Sequence, residues 1–268
     1  MKLFDVHTHI QDDRVRDIRA AIMARAMAAG VDRIMVCGLH EQDWDQVLAM
    51  AHDHDCLVPS LGIHPWFIQG RSVSWAEVLR KKLETHGAAV GEIGLDRMIP
   101  DRDDQDQEQV FVTQLNIARD LGRPVNIHCR SAWGRMADIL KERGGLPQGG
   151  IIHSWSGSAD MVRVFEGFGA SISFSGSVTR PDNKKVRKAV CSVSRDRLVL
   201  ETDSPDILPT GVNAMLNEPA FVRVVLESVA FLRHESVDEV AAYTYDNAMR
   251  IFSACENVHA PKELHGME

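Results

Sequence analysis

Leu3-Phe4-Asp5-Val6-His7-Thr8-His9 reads as a short buried strand with two histidines two residues apart. Successive side chains of a strand alternate faces, so His7 and His9 project to one side, a two-pronged claw suited to a metal ion. A claw of this kind needs partners, and the ends of later strands are where a sheet would supply them.

Outward from this strand, Asp12 to Ala29 has helical spacing and Gly30 ends it. Arg33 to Gly38 is a second strand, Asp43 to His54 a helix, and Cys56 to His64 a third strand. Pro65 to Val73 reads as a loop, and Ser74-Trp75-Ala76-Glu77 has capping-box spacing for the next helix. Ala88 to Gly94 is a fourth strand; a polar loop from Asp96 to Asp106 and a helix to Leu121 follow. Val125 to His128, Gly149 to His153, Ala170 to Phe174 and Arg197 to Asp203 complete eight strands, with helical patterns between them. Pro219 suits a first helical turn, and Ser236-Val237-Asp238-Glu239 is a second capping box, opening a last helix to Phe252.

Strand ends recur about every 28 residues, the size of one βα unit, and alternating βα order implies a parallel sheet. The sequence therefore predicts an α/β fold, a TIM (β/α)8 barrel of the metal-dependent hydrolase type, as one domain over residues 1–253 with a loosely held tail over 254–268. A doubly wound open sheet competes, but it usually carries a Gly-rich phosphate loop, and no G-x-G-x-x-G or Walker sequence occurs here.

Composition narrows the function. The 268 residues are 44% hydrophobic, enough for a large core, and the formal charge of −8 does not draw nucleic acid to the whole surface. A phosphate-bearing substrate would need a local basic lining or a bound cation. Five scattered cysteines without C-x-x-C spacing argue for a reducing compartment, and no apolar run approaches a membrane span. The expectation is a cytoplasmic protein with no membrane association and no obligate protein partner.

In a TIM barrel, chemistry gathers at the carboxyl ends of the strands. Those ends read His7 and His9, His64, Glu92, His128, His153 and Asp203, so six of eight strands finish in a group able to bind a metal. Imidazole with carboxylate suits Zn²⁺ or Mn²⁺, and Mg²⁺ where carboxylate and water dominate. Seven candidates exceed what one ion normally takes, so two divalent ions bridged by Glu92 are the natural arrangement. Two such ions activate a water and stabilise the leaving oxygen of a phosphoester. The plainer alternative for each residue alone is a hydrogen-bonded barrel side chain. His40, His52, His54, His86, His234, His259 and His265 lie away from strand ends and are read as surface residues.

The segments Asp5-Val6-His7-Thr8-His9, Gly62-Ile63-His64-Pro65, Gly91-Glu92-Ile93-Gly94-Leu95-Asp96, Pro124 to Arg130, His153 to Ser158 and Glu201-Thr202-Asp203-Ser204-Pro205 together resemble the TatD family of metal-dependent hydrolases. Asn217-Glu218-Pro219 and the segment from Asn247 to Phe252 also look like that family, so the resemblance covers nearly the whole chain. It implies a metal-dependent barrel acting on phosphodiesters, with deoxyribonuclease activity of 3′–5′ exonuclease type the expected assignment and DNA ends the expected partner. Matched by position, His7, His9 and Asp203 resemble ligands of one ion, and His128 and His153 ligands of the second. Glu92 resembles the bridging carboxylate and His64 a residue that meets the substrate phosphate. Asp203 would also orient or deprotonate the attacking water.

The chain departs from that family at Gln11, Arg97, Trp66 and the pair Ser154-Trp155, which touches substrate choice and removes no ligand. Trp66, Trp133 and Trp155 are candidates to stack on bases, or else pack the barrel mouth. Arg130, Arg135, Arg180 and Lys184 are candidates to pair with phosphate oxygens, or else ordinary surface cations. An amidohydrolase, a lactonase or an aminoacyl-ester hydrolase on the same barrel is the alternative reading. The first two commonly bridge their metals with a modified lysine at the end of strand four, where this chain has Glu92.

Overall fold

The computed structural model describes residues 1–255. Eight parallel strands form one sheet in chain order: β1 (Leu3–Thr8), β2 (Val31–Cys37), β3 (Leu57–Leu61), β4 (Ala89–Asp96), β5 (Val125–Arg130), β6 (Gly150–Ile152), β7 (Ser171–Phe174) and β8 (Leu198–Leu200). Between and after them lie α1 (Arg19–Ala28), α2 (Trp44–Asp53), α3 (Trp75–Thr85), α4 (Asp104–Asp120), α5 (Trp133–Glu142), α6 (Ala159–Gly167), α7 (Lys184–Val190), α8 (Val222–Arg233) and α9 (Val237–Phe252). This is the TIM barrel the spacing predicts.

The barrel closes between its last and first strands. Thr8 and Ser204 form a parallel bridge, His9 N donates to Ser204 O at 2.7 Å, and Asp203 N donates to His7 O at 3.0 Å. The buried Asp5 carboxylate reinforces this seam by accepting from Thr202 N at 2.8 Å and Thr202 Oγ1 at 2.6 Å. β8 is shorter than the sequence suggests; beyond Leu200 the chain keeps single bonds to its neighbours, with Glu201 N donating to Phe174 O at 3.1 Å, before Asp203 turns into the left-handed region at φ +59. A register irregularity between Asp5 and Thr8 likewise interrupts strict alternation in β1.

Phe4, Val6, Met35, Val58, Ala89, Ile151 and Val199 come from six different strands yet form one buried cluster, so they fill the barrel interior. Ala248 and Phe252 of α9 join it, with the Phe4 and Phe252 rings 6.1 Å apart. The amino-terminal end of the barrel is thus plugged, and chemistry is left to the other end. The larger core lies between sheet and helices.

Several local readings change. The helix expected over 12–29 opens with a 3-10 segment, Asp13–Ile18. The loop after His64 contains a 3-10 turn, Pro65–Gly70, and His64 is its N-cap. Ser74 makes no side-chain cap; Glu41 binds Ser72 N and Oγ instead, while Ser236 and Glu239 do form their reciprocal box. His40 and His86 are half-buried rather than surface residues, because His40 packs on Phe67 and His86 binds Lys82 O. Of the expected tail, residues 256–268 lie outside the described residues, as do His259 and His265. No helix among the described residues is long and apolar enough to cross a membrane.

Gly94 is where the packing is least forgiving. At φ +152, a Cβ added there would lie 1.9 Å from His128 O, so β4 and β5 approach closely beside two candidate ligands. Gly94→Ala is expected to cost at least about 3 kcal/mol, a fall of roughly 10 °C in Tm, read by thermal denaturation against the wild type.

Candidate metal centre

The strands deliver six of the seven sequence-predicted groups to one point, and the seventh, Asp203, hangs over them. Glu92, at the centre of β4, is buried with 2% exposure and faces imidazoles on both sides. Its Oε2 lies 3.3 Å from His7 Nε2 and 3.2 Å from His9 Nε2. Its Oε1 lies 3.0 Å from His128 Nδ1, 2.8 Å from His153 Nε2 and 3.2 Å from His64 Nε2. Asp203 Oδ1 stands 3.8 Å and 3.9 Å from the Nε2 atoms of His7 and His9. One carboxylate therefore separates two donor groups, each with its own pair of ring nitrogens.

Hydrogen bonds on the far side of His7, His9 and His128 decide which of their nitrogens is available. His9 Nδ1 donates to Cys37 O at 2.9 Å. His7 Nδ1 donates to Asn126 Oδ1 at 2.9 Å, and Asn126 Nδ2 donates to Val6 O at 3.1 Å, which fixes the amide orientation. Both Nε2 atoms are thereby left with lone pairs, and they stand 3.1 Å apart. On the other side, His128 Nε2 faces Asp96 Oδ2 at 3.3 Å, leaving Nδ1 to point at His153 Nε2, 3.2 Å away. Nitrogen lone pairs converging beside a buried carboxylate repel one another unless something positive lies between them. A divalent cation would meet that demand with N and O donors of the type that Zn²⁺ and Mn²⁺ prefer, so the residues fit a metal. Three subsets of these residues converge closely enough to ligate: His7 with His153 and Asp203, His7 with His9 and Glu92, and His64 with Glu92 and His128.

Without such a cation, protons must supply the charge. Burial opposes a charge on His9, yet Glu92 overrides it and lifts the ring to about 9; His128 and His153 are raised against burial in the same way. Burial would raise Glu92, but the surrounding imidazoles hold it well below the usual carboxylate range. His64 behaves differently. Burial dominates and pushes it down to about 4. Its Nδ1 accepts from Trp66 N at 3.1 Å, so in the neutral ring Nε2 carries the proton and donates toward Glu92. With the rings neutral, His64 presents an N–H to the centre where His7, His9 and His128 present lone pairs.

Three supporting residues escaped the sequence reading. Asp96 accepts from Met98 N at 2.8 Å and Trp66 Nε1 at 2.7 Å, and orients His128. Burial raises it, but these donors prevail and hold it at about 2, so it stays ionised. Asn126 orients His7. Glu201 is fully buried, accepts from Ser154 N at 2.6 Å, and lies 3.6 Å from His153 Nδ1. The available signal was a polar residue two positions before a ligand on an inward-facing run, Asn126 before His128 and Glu201 before Asp203.

The proposed substrate contacts divide. Trp155 is fully buried, packed on Trp133 at 4.4 Å and Phe165 at 5.5 Å between ring centroids. No face of that ring is open to a base, so its expected stacking role is corrected to packing. Arg130 is exposed at the end of β5, whereas Arg135 is engaged by Glu108 at 2.8 Å.

Known proteins resemble this chain in sequence and fold. The profile of a family described as TatD related DNase matches residues 4–253. A Bacillus subtilis protein described as the uncharacterized metal-dependent hydrolase YabD is 32% identical over 255 residues, 93% of this chain and 98% of its own length. An Erwinia tasmaniensis protein named 3′-5′ ssDNA/RNA exonuclease TatD is 30% identical over 258 residues, 94% of this chain and all of its own. The crystal structure of YjjV, a TatD homolog from Escherichia coli K12, superposes with a TM-score of 0.90 at 31% identity, covering 94% of this chain and 98% of that one.

Proposed function

The chain belongs to the TatD-related DNase family and is a metal-dependent hydrolase, and on that premise we propose that it hydrolyses phosphodiesters as a 3′–5′ exonuclease on DNA ends. The observation that carries this reading is Glu92, one buried carboxylate with imidazole pairs against each of its oxygens. We assign His7, His9 and Asp203 to one divalent ion and His128 and His153 to a second, with Glu92 shared. Bound there, Mg²⁺, Mn²⁺ or Zn²⁺ would lower the pKa of a water and neutralise charge on the phosphate.

The chain's own groups do the rest. Asp203 is the most exposed of the four carboxylates here, its side chain 13% accessible against 3% for Glu92 and none for Asp96 and Glu201. It faces the mouth, where a water arrives, and so accepts that water's proton as general base. His64 donates its Nε2 proton to a phosphate oxygen, which its tautomer permits and its low pKa keeps neutral. Asp96 and Asn126 hold the rings of His128 and His7 in the required orientation. Arg130 is assigned to a neighbouring phosphate. No lysine stands in place of Glu92, which disfavours the lactonase alternative. No disulfide joins the five described cysteines, which suits a reducing cytoplasm.

The test is release of mononucleotides from 5′-labelled single-stranded DNA with Mg²⁺ or Mn²⁺. Activity is expected to vanish on chelation and to return with metal. Turnover that survives exhaustive chelation, or hydrolysis of a lactone panel with DNA left intact, overturns the reading.

A further inference from the structure

We propose that Trp66 is a nucleobase-stacking subsite at the rim of the metal centre, an inference that rests on the phosphodiesterase reading and extends it to the base. The five tryptophans have very different surroundings. Trp44 and Trp155 are fully buried, Trp75 is 8% exposed, and Trp133 packs on Trp155 and Phe165. Trp133 is half-buried, and Trp66 alone among them is mostly exposed, at 57%.

Its exposure is inverted relative to the usual amphipathic placement, in which the ring is buried and the N–H is wet. Here the indole Nε1 points inward and donates to the buried Asp96 Oδ2 at 2.7 Å, while the ring lies outside. The backbone adds a second anchor, since Trp66 N donates to His64 Nδ1 at 3.1 Å. An apolar face held in one orientation has met its ordering cost before a ligand arrives, the condition under which stacking contributes most to affinity. Met98, 57% exposed, is tied by its N–H to the other oxygen of the same carboxylate and extends this apolar rim.

Position identifies the ligand. The Trp66 ring centroid lies 5.5 Å from that of His64, whose Nε2 is 3.2 Å from Glu92 Oε1. A phosphate at the centre therefore places an adjoining nucleoside beside Trp66. A flat, sequence-independent aromatic surface suits any base, as single-strand binders require.

The experiment compares wild type, W66A and W66F on single-stranded oligonucleotides and on matched oligomers that keep every phosphate but lack one base at either of the last two 3′ positions. W66A is expected to raise KM about tenfold, the loss of one base–aromatic stack, with the change falling on KM rather than kcat. W66F, which keeps an aromatic face, is expected within about threefold of wild type. Removing the stacked base should raise the wild-type KM by the same factor and leave W66A unaffected. Unchanged KM in W66A on DNA that the enzyme does cleave overturns the subsite, as does an equal penalty for the missing base in all three proteins. If the wild type cleaves neither oligomer, the phosphodiesterase reading fails separately. Titration of tryptophan fluorescence with thymidine monophosphate then decides the subsite: quenching lost in W66A supports it, and quenching retained overturns it.

Discussion

Glu92→Gln is expected to yield a folded protein that has lost most of its metal affinity and at least about 10³-fold in kcat on single-stranded DNA. The reason lies in the symmetry of the site. Both carboxylate oxygens of Glu92 face imidazole nitrogens, at 2.8 to 3.3 Å, and the side chain is almost sealed from water. Glutamine keeps the shape and replaces one acceptor with a donor. Its amide N–H satisfies the neighbouring lone pairs locally, so the fold no longer needs a positive charge there. Glu92 is also the buried partner that raises His9, His128 and His153 without metal, so its loss breaks a buried ion pair and Tm without metal should fall, with the amide's hydrogen bonds keeping the protein folded. Metal binding should weaken by more than about 100-fold, because even partners outside a ligand set cost 10–100-fold when removed. Metal content after dialysis and calorimetric titration with Mn²⁺ provide the readout. Full metal occupancy with normal turnover in E92Q would remove Glu92 from the centre.

Asp203→Asn should separate the two ions and cost chemistry more than metal binding. Asparagine is tolerated at the left-handed φ of +59, and the backbone bonds from Asp203 N to His7 O and from Asp206 N to Asp203 O do not involve the side chain. The barrel seam therefore survives, and thermal denaturation should match the wild type. His128, His153 and Glu92 remain to hold the second ion, while the ion assigned to His7, His9 and Asp203 should bind at least about 10-fold more weakly. What disappears is the carboxylate nearest the mouth, so kcat should fall about 10³-fold, within the span of a lost general base, with KM little changed. A D203N enzyme retaining more than a tenth of wild-type kcat would mean that another group takes the water's proton. Read side by side, E92Q weakens both ions and turnover together, whereas D203N loses turnover and weakens only the ion assigned to His7 and His9.

Both predictions depend on residues visible in the sequence. The eightfold recurrence of strand ends was legible because each βα unit has nearly fixed length, and the ligands were legible because they sit at those ends. Supporting residues were harder to read. Asp96 looked like the first residue of a loop, yet it is the last residue of β4 and holds His128, Trp66 and Met98 together. Its partners come from different segments, and no local pattern pairs them. The three tryptophans offered as stacking candidates were indistinguishable by type and by position near strand ends.

The sequence by itself determined the barrel, the metal-binding character of the strand ends and the pairing of His7 with His9, since these follow from period, spacing and residue chemistry. Only the tertiary structure decided that Glu92 stands between two imidazole groups, that His64 offers a proton where His7, His9 and His128 offer lone pairs, and that Trp66 is open while Trp155 is sealed. Those outcomes depend on hydrogen-bond partners up to 120 positions away, as with Asn126 and Val6, or on the closure of β8 against β1. Such contacts exist only once the sheet has curled shut.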